Sequence, residues 1–218
     1  MSLELSGTTG VKGVAGSVSA PSIVGDDTNT GISFPSADTI KFSTGGVERM
    51  SITNSGVSGI TAGITQSSTF RLTSNTSIDS SQIVLTSNLE ECDNASYTRV
   101  GSAFTQSSGL FTFPATGIYL IEATGMFYVG SGTGPYNGLG IQITTDNGSN
   151  YDRVAISYGS SFSNQSYSSS YCAYQFDVTD VSTHKVRFIT DAANTSAIIS
   201  GTTNDNHTFF QFTRLGDT

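Results

Sequence analysis

The chain has no tryptophan, two histidines, two cysteines and four prolines among 218 residues. Charged side chains make up 12%, about half the usual share. Each scarcity removes a class of function. His184 and His207 sit in no catalytic motif, and strand-surface polar positions are the plainer expectation for both. H-E-x-x-H, G-x-S-x-G and G-x-x-x-x-G-K-[ST] are all missing. Ser182-Thr183-His184-Lys185 meets S-x-x-K formally, but in a tight turn without the companion motifs. No catalytic residue, cofactor or metal site is expected, and the chain reads as non-enzymatic. Net charge is −8, and the nine Lys and Arg residues are scattered singly. Such a surface repels a phosphate backbone, so nucleic acid is not an expected partner. No apolar run reaches the length of a membrane-spanning helix, so membrane insertion is not expected. M-S-L-E-L-S-G lacks the basic region and apolar core of a secretory signal. Cys92 and Cys172 match no metal spacing; small buried thiols are the plainer expectation and a disulfide the alternative. The lack of tryptophan also weakens a sugar-stacking site.

Ser, Thr and Gly fill the space left by charge and aliphatics. Hydrophobic residues are 36% and aromatics 10%, and no window keeps a helical period. Short strands joined by many turns suit this composition; disordered chains are richer in charge and poorer in aromatics. The clearest stretch is residues 109–127, G-L-F-T-F-P-A-T-G-I-Y-L-I-E-A-T-G-M-F. Phe111 and Phe113 alternate with Leu110 and Thr112, the two-residue period of a strand. Pro114–Gly117 breaks the run, and Ile118–Ala123 resumes it. Two strands joined by P-x-x-G and buried on both sides belong in a two-layer β core. Strands are expected near 69–73, 82–86, 98–104, 109–113, 118–128, 139–145, 151–158, 171–178, 184–191 and 207–215. Asn147-Gly148 is a hairpin turn signal.

The spacing F-x-F-P-x-x-G-x-Y resembles the B–C hairpin of the complement globular-head and tumour-necrosis-factor superfamily of trimeric jelly rolls. His207-Thr208-Phe209-Phe210-Gln211-Phe212-Thr213-Arg214-Leu215 is similar to that family's closing strand. The resemblance covers residues 66–218 and implies a jelly-roll head whose first and last strands pair.

Residues 1–65 differ, with Phe34 and Phe42 their only aromatics. Gly7, Gly10, Gly13 and Gly16 recur every third residue, yet four triplets without proline are too few for collagen. An extended arm is the plainer reading. Strand-like pieces 32–34, 39–43 and 47–53 follow, each with about two apolar side chains on one face. Such small β units are marginal alone, so the segment needs a partner, most simply identical chains about an axis. D-D-T-N-T-G-I-x-F-P, D-x-I-x-F, T-G-G-V-E-R-M and I-x-x-S-G resemble stem modules of bacteriophage fibre and appendage proteins, marine phages especially. Asp26-Asp27-Thr28-Asn29-Thr30-Gly31 offers oxygen ligands, but Ala37 stands where a calcium loop needs Glu, so turn chemistry is the plainer reading.

Loops between the expected head strands look unequal. Pro114–Gly117, Asp146–Asn150 and Thr179–Thr183 are tight and fall at one end. Gly130–Gly138, Gly159–Ser170 and Ala192–Asn206 are long and fall at the other. The long loops carry Tyr136, Tyr158, Phe162, Tyr167 and Tyr171 among Ser and Asn, a composition suited to adaptable contacts. These five are the candidate receptor-binding residues; solubilising loops are the plainer alternative.

The expected fold is all-β: an extended β stem (1–65, trimerising and attaching) and an antiparallel jelly-roll sandwich (66–218). The expected protein is a homotrimeric virion-surface fibre or appendage whose head adheres to a host-surface glycan or protein. Other virion proteins would hold it through its N-terminal arm. The alternative is a capsid decoration (cement) protein or head fibre attached through that arm.

Overall fold

The computed structural model describes residues 5–6, 10–11, 15–59, 63–78, 81–132, 134–161, 165–193 and 196–218. The chain forms two compact units, Met1–Gly63 and Ile64–Thr218. Among the described residues there is no helix, and the strands pair antiparallel.

In the first unit, β1 (Leu5–Ser6) pairs with β2 (Gly10–Val11). Five further strands form a meander in sequence order: β3 (Ile23–Val24), β4 (Gly31–Ser33), β5 (Ile40–Thr44), β6 (Val47–Thr53) and β7 (Gly56–Ser58). Cross-strand register sorts its side chains by chemistry. Ile23, Ile32, Phe42 and Met50 form one row across four strands, and Ile40, Ile52 and Val57 form a second on the same face. The opposite face carries Ser33, Lys41, Ser43, Glu48, Ser51 and Ser58. There Lys41 Nζ and Glu48 Oε2 lie 2.7 Å apart, and Ser51 and Ser58 hydroxyls 2.7 Å apart. A register shift after Phe42 leaves Arg49 as the extra residue of a bulge, its Nε donating to Thr44 Oγ1 at 2.7 Å.

The second unit is a two-layer sandwich. Its strands are β8 (Ser67–Leu72), β9 (Thr76–Ile78), β10 (Ile83–Val84), β11 (Leu89–Glu91), β12 (Thr105–Ser107), β13 (Leu110–Thr112) and β14 (Gly117–Val129). They continue as β15 (Gly134–Thr144), β16 (Asp152–Ser161), β17 (Ser166–Val178), β18 (Lys185–Ala192), β19 (Ala197–Ile199) and β20 (Phe209–Gly216). One layer runs β12-β13-β18-β15-β16, with β10 also on β18. The other runs β11-β8-β20-β14-β19-β9, with β17 along β14. Phenylalanines from both layers meet between them. Phe111 and Phe188 come from one, and Phe70, Phe210 and Phe212 from the other. Phe188 stacks on Phe210 at 3.9 Å between centroids, and Phe111 meets Phe70 edge-on at 5.0 Å. Burying one such ring stabilises the fold by roughly 1.5–3 kcal/mol.

Phe111 and Phe113 do point into this core. Their turn, however, is not a hairpin. β13 pairs with β12 and β18, whereas β14 pairs with β17, β19 and β20, so Pro114–Thr116 carries the chain from one layer to the other. The crossing suits a core filled from both sides: Phe113 and Tyr119 face each other across it at 4.7 Å. Gly117 makes it possible at φ +146°, because a Cβ there would lie 2.3 Å from Arg214 Nε. Nor is β14 buried on both sides: its burial alternates strictly, one face in the core and the other half-covered.

Residues 98–104 form a single bridge, Ser67 to Val100, and no strand. Gly101, at φ +77°, turns the chain there and delivers Phe104 to the core. The asymmetry of loop length disappears at two of the three expected long loops, while the third keeps nine residues between β19 and β20. The connections between β14 and β15 and between β16 and β17 are four residues each, because the strands run further than expected. β17 begins at Ser166 and pairs with β14 over thirteen residues, so the Ser-rich run gains its ladder from its neighbour. The two ends themselves fall where the alternation of strands puts them. Gly130 N donates to Ser196 O at 3.4 Å at one end, and Asn147 N to Thr183 O at 3.0 Å at the other. The chain end lies at the latter, where Arg214 Nε donates to Thr116 O at 2.9 Å. β8 pairs with β20, setting Ser67 beside Thr213, so the chain enters the sandwich at that same end.

Candidate binding surfaces

Four of the five expected binding residues lie on strands, and they divide between the two layers. For Tyr136 and Tyr167 the reason is the strand extension just described, which makes loop positions into ladder positions; Tyr158 and Tyr171 stand at the ends of the expected strands 151–158 and 171–178. Phe162 lies outside the described residues.

Tyr136 on β15 and Tyr158 on β16 share the outer face of one layer. Their rings meet edge-on at 5.0 Å, and Tyr158 Oη donates to Asp191 Oδ2 on β18 at 3.1 Å. Burial, then the Asp191 hydrogen bond, pushes the Tyr158 hydroxyl above its ordinary pKa. Gly138 lies opposite Tyr158 and directly beneath it; a Cβ there would come within 2.6 Å of the ring. The ring covers a glycine that has no side chain of its own to offer. Tyr158 remains 48% exposed. This cluster presents two aromatic faces, a phenol and a carboxylate, groups suited to a polar partner with some apolar surface.

Tyr167 and Tyr171 on β17 lie on the outer face of the other layer. Tyr167 faces Tyr128 of β14, rings 4.9 Å apart, and Tyr171 Oη donates to Glu122 Oε1 at 2.7 Å. That hydrogen bond, then burial, raises the Tyr171 hydroxyl pKa. Around them, the half-covered face of β14 adds Ile118, Leu120 and Met126, and β20 adds Phe209 opposite Thr124. Tyr167 is 66% exposed and Tyr171 54%. The sequence signal for this face is that the outward positions of β14 include Ile118, Leu120, Met126 and Tyr128 beside the polar Glu122 and Thr124, more apolar than a solvated strand face.

A third feature carried no sequence signal. Arg71, 1% exposed, bonds Glu90 Oε1 through Nε at 2.8 Å, Asp93 Oδ1 through Nη2 at 2.5 Å, and Asn94 Oδ1 through Nη1. Burial opposes its charge, but Glu90 and Asp93 outweigh that and raise its pKa. Asn94 in turn donates to Asn204 O at 3.1 Å. Beside this network opens a concavity of about 400 Å³ lined by Asn94, Tyr97, Asn204, Asp205 and Asn206.

Ser200, His207 and Asp205 also come together, with Nδ1 3.1 Å from Ser200 Oγ and Nε2 3.1 Å from Asp205 Oδ1. A hydrolytic triad needs an accessible hydroxyl and a sheltered carboxylate. Burial here is the reverse. Ser200 is 8% exposed with its Oγ also bonded to Asn75 Oδ1, while the Asp205 side chain is 69% exposed. The group ties the 200–208 loop to the start of β9. The other histidine, His184, stacks on Phe176 at 5.5 Å between two threonine hydroxyls. Cys172 is a buried thiol, pushed up to about 11 by that burial, and it donates to Leu139 O at 3.4 Å. Cys92 donates to Asn206 Oδ1 at 3.3 Å. Among the described residues, no group of three His, Cys, Asp or Glu side chains could hold a metal ion.

The class defined by these layers is an antiparallel jelly-roll sandwich. Among solved structures, murine APRIL at pH 5.0 aligns over 69% of this chain and 98% of its own, with a TM-score of 0.50 and 16% identity. Eiger TNF from S. frugiperda covers 70% of this chain and 93% of its own, at a TM-score of 0.46 and 12% identity. At such identity the likeness to murine APRIL concerns the fold alone. No family model and no curated protein matches the chain.

Proposed function

We propose that the protein is a non-enzymatic homotrimer on the surface of a virus particle, with a stem and an adhesive jelly-roll head. The observation that carries the assembly is the outer face of β14, β17 and β20. On one chain it leaves Tyr167 and Tyr171 more than half exposed among Ile118, Leu120, Met126, Tyr128 and Phe209. Large exposed apolar patches mark interaction surfaces, and a closed ring of identical subunits covers them without a second gene product. The virion setting rests on the stem motifs of residues 26–56 and their resemblance to phage appendage proteins.

The two aromatic surfaces then take different partners. Tyr128, Tyr167 and Tyr171 meet neighbouring subunits. Tyr136 and Tyr158, with Asp191, stay free on the opposite layer and hold a host-surface glycan or protein. Each site is weak, and three per trimer with many trimers per particle gain avidity through effective concentration. No step of covalent chemistry is assigned, because Ser200 is buried and its hydroxyl committed to Asn75.

Binding of the full-length protein to a panel of bacterial envelope glycans tests adhesion. Tyr158→Ala is expected to abolish the signal while leaving the oligomer intact. A signal unchanged in Tyr158→Ala contradicts the assigned surface. Deleting residues 1–20 separates adhesion from capsid decoration: loss of particle attachment with glycan binding unchanged is expected for an arm that attaches and a head that adheres.

A further inference from the structure

The five-stranded sheet of the first unit has one face finished and one bare. On the finished face, Lys41 and Glu48 close an ion pair, and Ser33, Ser43 and Ser51 are buried. On the other, two apolar rows run across the strands: Ile23-Ile32-Phe42-Met50 and Ile40-Ile52-Val57. Neither row contains a charged or polar side chain. Yet Ile23 is 57% exposed, Val57 58% and Ile52 38%, and Ile32, Ile40, Phe42 and Met50 are only half-buried. Beside the second row a depression of about 390 Å³ opens against Phe34, Ile40 and Ile52, its remaining lining polar and including Asp38 and Asn54. Among the described residues of this unit, no second layer covers these rows.

We infer that this face packs against the same face of two other copies, so that three single-layer sheets enclose one apolar core. This inference rests on the homotrimeric reading above and adds what the stem contributes to it. Three arguments select copies of the chain as the occupant. First, a chain of net charge −8 repels itself wherever it presents its carboxylates, and these two rows present none. Second, area excludes a pair held by this face alone. The five strands average four residues, and at a spacing of ~4.8 Å they give a face on the order of 300 Å². Two such faces bury about 600 Å², half the ~1,200 Å² of a specific interface, whereas a third copy adds its own face and closes the ring. Third, each row holds large side chains (Phe42, Met50, Ile52) that need a deep, dry interior, and a closed ring supplies one without leaving a bare edge.

Cysteine cross-linking in the full-length protein tests this. Val57→Cys places a thiol on the bare face. Ser58→Cys places one a residue away on the finished face. Cys92 and Cys172 are buried and serve as an unreactive background. Under mild oxidation, Val57→Cys is expected to give covalent dimers at least tenfold faster than Ser58→Cys. Ile52→Asp is expected to speed amide exchange across residues 40–58 at least tenfold while exchange in β14 and β20 stays unchanged. If the wild type sediments as three chains but Val57→Cys cross-links no faster than Ser58→Cys, the stem inference falls and the trimer stands. If the wild type sediments as one chain, the homotrimeric reading falls and takes the stem inference with it.

Discussion

The two units solve the burial problem in opposite ways. Every buried apolar residue among the described ones lies in the sandwich; the first unit buries three serines. A sandwich turns one face of each layer toward the other and so makes its own interior. A single-layer sheet has nothing to turn toward. Its apolar rows gain little on one chain, and ordering its backbone costs about 1–2 kcal/mol per residue. Local pattern alone thus gives strands in both units, but self-sufficiency only where two layers exist.

The largest expected effect is on the sandwich. Phe111→Ala removes a fully buried ring that touches Phe70, Phe188 and Phe212, and is expected to cost about 3–5 kcal/mol by chemical denaturation. The matched change in the stem, Phe42→Ala, sharpens the contrast. In a separated chain it is expected to cost about 1 kcal/mol, and more than twice that in the assembled protein. Equal costs at low and high protein concentration would break the comparison.

Arg71→Ala comes next. It strips the guanidinium from Glu90 and Asp93, and both carboxylates retain solvent contact, so a loss of about 2–3 kcal/mol is expected in melts of the sandwich. A smaller change, about 1 kcal/mol, is expected for Gly138→Ala, where the new Cβ displaces the Tyr158 ring. Loss of the Tyr158–Tyr136 contact by crystallography would accompany it, together with weaker glycan binding.

How much of this was legible in the sequence depends on where each residue's partners lie. Phe111 and Phe113 read correctly as core because alternation is local. Asn147-Gly148 read correctly as a turn, with φ of +58° and +93°, for the same reason. Ser166–Ser170 did not read as a strand, because its ladder partner, Val129 to Gly125, lies some forty residues away. Tyr158 and Tyr167 read as neighbours at a loop tip, yet the sandwich sets them on different layers. β9, β11, β12 and β19 are three residues each, too short to carry a period. Arg71 was invisible as a buried cation because Glu90 and Asp93 reach it only through the β8–β11 pairing.

The smallest expected effect is acid sensitivity at the β15–β16 turn. Asp146 accepts hydrogen bonds from Asn150 N at 2.9 Å, Thr144 Oγ1 at 2.7 Å and Asn150 Nδ2 at 2.7 Å, which hold its pKa down at about 2 instead of 3.8. A depressed carboxylate contributes stability above its unfolded value and loses it as pH falls through the folded one. The turn is therefore expected to loosen between pH 3.8 and about 2, followed as the amide exchange of Gly148 and Asn150. Asp146→Asn should flatten that dependence.

Sedimentation equilibrium of the full-length protein at micromolar concentration tests the central claim most directly. Three chains closing both the stem face and the β14–β17–β20 face give a particle of three times 22.8 kDa. A particle of 22.8 kDa, with Tyr167, Tyr171 and Val57 left facing water, would contradict it.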